Sequence, residues 1–174
     1  PRRQNASWFQ SLWVYVRGAV PAILLATFVL LLLPFAPGIG ASVMGARRWI
    51  FIGDMSFQPS ELAKLAIVLY VSALLSKKQG RLDDAVNGIL PPLIVVLVFS
   101  GLILLQNNFS TAVFLFLVAL AVFFVATVRA LHLALIASIL LPLSLMLLFT
   151  REHRLQRVVA YLDPMRDPSG ASFQ

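Results

Sequence analysis

Two arginines and a tryptophan, Arg47-Arg48-Trp49, follow Gly45, and a few residues later Glu61 and Lys64 stand three positions apart in an apolar run. A third group lies near the C-terminal end. Arg151, Arg154 and Arg157 recur every third residue, ahead of Asp163-Pro164 and Asp167-Pro168. Arginine presents a planar fork of donors that grips phosphate or carboxylate in a bidentate way, which a lysine point charge does not. An aspartate beside such cations stays ionised and can take a proton. The chemistry within reach is therefore the binding of an anionic, phosphate-bearing ligand with a carboxylate base nearby.

Each group also has a plainer reading. Arg47, Arg48 and Trp49 could be interfacial anchors that snorkel from a span end. Glu61 and Lys64 share one helical face and could be a buried structural pair that orients a span. The Arg151–Arg154–Arg157 ridge could be a solvated juxtamembrane face, with His153 an exposed polar residue. Proline biases the preceding aspartate toward extended backbone, so Asp163 and Asp167 could be turn formers.

The elements that must hold these residues are apolar. Hydrophobic residues make up 60% of the 174-residue chain, and mean hydropathy is +0.90. Runs at 18–35, 60–75, 87–105, 111–128 and 130–149 each approach the roughly 20 residues needed to cross a bilayer. Five such runs exclude an ordinary soluble domain. The expected fold is all-α, a polytopic transmembrane bundle of about five spans forming one membrane domain over residues 1–174. Residues 1–17, with Trp8, Trp13 and Tyr15, read as the end of a preceding span, and the chain reads as an internal piece of a longer protein. Pro34, Pro37, Gly38 and Gly40 end the first span and open a long loop. Pro59 fits the first turn of the next helix, with Ser56 or the nearby loop as its cap, and Ser110 fits the N-cap of the fourth span.

The chain has no cysteine and two histidines, which leaves no thiol site and little for a metal. A net charge of +7 in a soluble chain would suggest nucleic acid; here the cations sit at span ends, where lipid headgroups or an anionic substrate are the partners. Arg2, Arg3, Arg17, Lys77, Lys78, Arg81 and Arg129 fall on one side, and Arg47, Arg48, Arg151, Arg154, Arg157 and Arg166 on the other. The totals barely differ, but both lysines outside the spans lie on the first side. That side is assigned to the cytoplasm, which leaves the opposite arginines for ligand binding.

Taken in order, Gly45-Ala46-Arg47-Arg48-Trp49, Phe57-Gln58-Pro59-Ser60-Glu61, Arg154-Leu155-Gln156-Arg157 and Asp163-Pro164-x-x-Asp167-Pro168-x-Gly170-x-x-x-Gln174 resemble the SEDS family of bacterial cell-wall proteins, the RodA/FtsW/SpoVE group. The resemblance runs from about Val16 to the last residue. It implies a multi-pass enzyme of the bacterial cytoplasmic membrane, with a large extracytoplasmic loop at the C-terminal end of this chain. The implied activity is inverting polymerisation of lipid II, the undecaprenyl-diphosphate-linked disaccharide-pentapeptide, in division or elongation. The implied partners are a class B penicillin-binding protein and other divisome or elongasome membrane proteins, and no nucleic acid. By position Asp167 matches the family's catalytic aspartate and Trp49 its sensitive tryptophan. Arg47, Arg48, Arg154 and Arg157 would meet the diphosphate, and a divalent cation, magnesium or manganese, is the one cofactor the chemistry admits. A lipid II flippase and a scaffold that recruits a penicillin-binding protein are the alternatives. Gly-Ala-Arg-Arg-Trp with Ser-Phe-Gln-Pro-Ser-Glu leans toward the division type.

The chain departs from the family at two places. Gln106-Asn107-Asn108-Phe109-Ser110-Thr111-Ala112 stands where the family has Gln-Pro-Asp-Leu-Gly-Thr-Ala, so a carboxylate is lost. Gly170-Ala171-Ser172-Phe173-Gln174 replaces Gly-x-Gly-Tyr-Gln.

Overall fold

A computed structural model describes residues 4–37, 39–43, 46–53, 55–78, 80 and 84–149. Five helices dominate: α1 (Gln4–Leu32), α2 (Pro59–Lys77), α3 (Leu90–Leu105), α4 (Phe109–Val125) and α5 (Ala130–Phe149). Between α1 and α2 lie a 3-10 turn (Leu33–Phe35) and strands β1 (Gly40–Val43), β2 (Ala46–Ile52) and β3 (Met55–Phe57). The segments 18–35, 59–77, 85–105 and 130–147 are each long and apolar enough to cross a membrane, and α4 is a shorter apolar helix. The protein is a multi-pass helical membrane protein. It divides into two compact units, residues 1–130 and 131–174, and α5 carries the described part of the second.

In the first unit α2 packs against α1, α3 and α4. Its inward face repeats along one helical stripe: Ala63, Ile67, Val71 and Leu75 are all buried. Ala112, Leu115, Ala119 and Phe123 of α4 and Val96, Phe99 and Ile103 of α3 complete the core. Small residues at Ala63, Ala66, Ala112 and Ala119 let the helix backbones approach, which is how packing is won where lipid removes the hydrophobic drive between helices. Phe28 of α1 meets Phe99 with ring centroids 5.9 Å apart. Thr27 is buried, and its hydroxyl donates to the Ile23 carbonyl at 2.7 Å. The opposite faces, with Leu25, Val29, Ile94, Leu97 and Phe124, are exposed as lipid-facing surface would be.

The sequence suggested a loop between the first two spans; the structure puts a three-stranded antiparallel meander, order β1-β2-β3, inside it. The run Trp49-Ile50-Phe51-Ile52 is β-branched and aromatic and suits a pleated surface. Gly53, at φ 61°, makes the turn into β3. Three boundaries also differ. Helix α1 reaches back to Gln4, because residues 4–17 hold no glycine or proline to break it. The residue capping α2 is Gln58 rather than Ser56, and Pro59 occupies the first turn. Helix α4 is capped at Asn108, with Ser110 inside its first turn. At the other end of the bundle the Asp84 carboxylate accepts from the Val86 and Asn87 amides, at 2.9 and 3.2 Å, and starts a π turn (Ala85–Ile89) that runs into α3.

Candidate active site at the meander end of the bundle

The close of α1, the start of α2, the close of α3 and the start of α4 meet at one end, beside the meander. Helix α3 ends in a Schellman motif: the Asn108 amide bonds the Ile103 carbonyl at 3.2 Å, and Asn107 takes the left-handed conformation at φ 59°. Proline, with φ fixed near −65°, cannot adopt that conformation. Asparagine tolerates it better than most residues, which suits position 107. Gln106 and Asn108 turn inward and are buried. Gln106 Nε2 donates to the Leu31 carbonyl at 2.8 Å, tying α3 to α1. Asn108 Nδ2 donates to Ser60 Oγ at 3.3 Å, and Gln58 Nε2 donates to the same hydroxyl at 2.8 Å, tying α4 to α2. Asn108 therefore acts as a donor to Ser60, which an ionised carboxylate at this position could not do. Gln106 Oε1 is buried and makes no hydrogen bond among the described residues.

In the sequence, Gln106–Thr111 stood out only as a departure from the family's pattern. Gln58, Ser60, Gln106 and Asn108 are the site-forming residues that this reading passed over. The available signal was polar amides set directly against apolar spans on both sides.

Glu61 and Lys64 do form the expected ion pair, 2.7 Å apart, but it is not buried: the Glu61 side chain is 56% exposed and that of Lys64 28%. The reason is placement. Glu61 sits in the first turn of α2, where a carboxylate also favours the helix dipole. Lys64 Nζ lies 5.4 Å from the centroid of Phe114 in α4, within cation–π reach. Glu61→Gln is accordingly expected to fold normally. An exposed pair contributes about 0–1 kcal/mol, against the roughly 3–5 kcal/mol of a buried one. Thermal melts and yield in detergent check this, and a collapse in yield would restore the buried-pair account.

Strand β2 carries Arg47, Arg48 and Trp49. Ala41 pairs with Trp49 and Ser42 with Arg47, so Arg48 is the additional residue of a β-bulge. Bulges re-aim side chains, and here the two arginines have different surroundings. Arg47 is exposed, whereas Arg48 is half-buried, with its Nε enclosed and without a hydrogen bond among the described residues. Trp49 is half-buried, and Ala46 and Ile50 of the same strand are buried. Strand β2 packs on the 3-10 turn and on α2. The sequence treated the two arginines as one unit; the bulge separates them.

Arg154, Arg157 and Asp167, and the whole C-terminal loop, lie outside the described residues. Among the described residues no group of three or more His, Asp or Glu side chains could hold a metal ion.

A multi-pass apolar bundle with a short meander beside one end, where buried polar groups tie the helices together, defines a class of helical membrane protein. The sequence matches the cell cycle protein family of FtsW, RodA and SpoVE over residues 8–174, and the chain belongs to that family. It is 38% identical over 161 residues to a probable peptidoglycan glycosyltransferase FtsW of Geobacter sp. (strain M18), covering 92% of this chain and 44% of that protein. The namesake from Borreliella burgdorferi is 32% identical over 160 residues, covering 92% and 43%. Among solved structures, a chain of a peptidoglycan synthase complex, described for its coordination of polymerization and crosslinking, superposes with a TM-score of 0.61. It is 32% identical, with 92% of this chain and 47% of that one covered. The rod shape determining protein RodA of Thermus thermophilus gives 0.55 at 30% identity, covering 77% and 42%. This chain thus spans less than half the length of these relatives, and it is FtsW-like in sequence.

Proposed function

We propose that the protein to which this chain belongs is a peptidoglycan glycosyltransferase of the bacterial cytoplasmic membrane, polymerising lipid II on the outer face. The observation that supports this reading best is the gathering of Arg48, Glu61 and Lys64 at one end of a bundle whose relatives are named for that activity. In the proposed reaction the 4-hydroxyl oxygen of the acceptor attacks C1 of the donor sugar as the bond from C1 to the diphosphate oxygen breaks, with inversion at C1. Asp167 accepts the hydroxyl proton, and the diphosphate leaves as an anion. Arg47, Arg48, Arg154 and Arg157 stabilise that developing charge, often the largest catalytic term. Lys64, held by Glu61 and Phe114, adds a fixed cation at the same end. The membrane-facing grooves hold the polyprenyl chains, and a class B penicillin-binding protein takes the product for crosslinking.

The test is polymerisation of lipid II by the purified full-length protein, read as glycan strands on a gel. Strands are expected from the protein without another glycosyltransferase. Movement of lipid II across a vesicle membrane with no strands formed would replace the polymerase by a flippase. In the same assay Glu61→Gln should lower polymerisation by about 10–100-fold while the fold stays intact, the loss that goes with one hydrogen bond to a charged group. Wild-type turnover would place the pair outside the site.

A further inference from the structure

At the end of the bundle away from the meander, α1 and α2 part to leave a cavity of about 450 Å³. That volume lies within the ~300–1,000 Å³ common to small-ligand sites, and the lining is the usual one, apolar with a few polar groups. Gly18 and Pro21 of α1 make one wall, and Tyr70, Ala73 and Lys77 of α2 the other. The opening has a local cause. Pro21 has no N–H for the carbonyl one turn back and disturbs the helix there. Gly18 contributes no side chain, and a Cβ built on it meets nothing within 4 Å. Ala73 is small on the facing wall.

The polar groups define the ligand. Lys77 is the last residue of α2 and is exposed, and its ammonium makes no hydrogen bond or ion pair among the described residues. Lys78 follows it, and Arg17 is the residue before Gly18 in α1. Tyr70 lines the same cavity two turns back along α2. A cation at headgroup height over an apolar cleft matches a phospholipid with an anionic head and an acyl chain. The lysines assign this end to the cytoplasmic leaflet, whose anionic lipids attract such charges. A whole crossing helix is a poor occupant, since it is about 10 Å wide and about 30 Å long, far more than this cavity takes in.

We propose that the cleft between α1 and α2 binds one anionic phospholipid of the cytoplasmic leaflet, with its phosphate at Lys77 and one acyl chain along Gly18, Pro21 and Ala73. The site lies at the opposite end of the bundle from the proposed catalytic groups and does not depend on their assignment.

Native mass spectrometry of the full-length protein, released from detergent with phosphatidylglycerol or phosphatidylcholine, tests it. The wild type should retain one phosphatidylglycerol in preference to phosphatidylcholine by about fivefold, the ratio that one lysine at an anionic surface provides. Lys77→Gln should remove the preference, and Lys77→Arg should keep it. Gly18→Leu projects into open space, so it should fold and yet displace both lipids. Equal retention of the two lipids by the wild type, no retained lipid at all, or unchanged retention in Gly18→Leu would each overturn the proposal.

Discussion

Asp167→Asn is expected to abolish strand formation while leaving expression, lipid II binding and partner binding as in the wild type. The substitution keeps the size of the side chain and its capacity to hydrogen-bond but removes the base. A general base contributes about 10²–10⁴-fold, so turnover should fall by that much in the full-length protein. The motive is in the sequence: Asp167 stands between Arg166, a cation of the kind that favours an ionised carboxylate, and Pro168, of the kind that narrows the backbone before it. Asp163, also followed by proline, is the internal control. Asp163→Asn should retain substantial activity. Full polymerisation by Asp167→Asn would end the proposed mechanism and revive the flippase. Loss of expression in both variants would return Asp167 to a role in the turn.

The second large effect is expected at Gly40, where β1 begins against the 3-10 turn. A Cβ there would lie 2.0 Å from the Pro34 carbonyl oxygen, 2.6 Å from its carbon and 2.8 Å from its Cα. These are backbone atoms, which cannot rotate away as a side-chain tip would. Overpacking of this kind costs typically about 1–3 kcal/mol, and a clash with backbone alone belongs at the upper end. Gly40→Ala should therefore loosen the meander from the end of α1. Amide exchange in residues 46–52 should accelerate, and polymerisation should fall with it because Arg48 and Trp49 lose their seat, while helical circular dichroism stays near wild type. Gly18→Ala provides the contrast. That glycine is helical with open space around it, so alanine should be neutral or stabilising by about 0.5–1 kcal/mol. Wild-type exchange in Gly40→Ala would mean that the meander does not depend on its contact with Pro34.

The helices were legible in the sequence because each is a long apolar run, and nothing but a spanning helix satisfies the backbone of such a run in lipid. Pro59 also read correctly as the first turn of α2. The meander did not. Its strands are short, and the glycines and prolines around Pro37 gave the stronger local signal. The split between Arg47 and Arg48 was hidden for a related reason, since a bulge is set by the register with β1 and not by β2 itself. The inward role of Gln106 and Asn108 was not legible because their partners, Leu31 and Ser60, belong to other helices. Glu61 and Lys64 were correctly paired from their spacing, and misjudged in burial, which depends on how deep the first turn of α2 sits.

The bond from Gln106 to Leu31 joins positions 75 residues apart. A ribosome adding about 5–20 residues per second makes Leu31 roughly 4–15 seconds before Gln106. During that interval the α1 terminus has no Gln106 to bond with, and water at the membrane surface can serve its carbonyl instead. The meander end is thus completed only once α3 has entered the bilayer and its turn has closed over α1. Assembly of this face is timed by synthesis, so a translational pause before residue 106 would hold a nascent α1–α2 hairpin exposed to chaperones, and speeding synthesis there would shorten that window.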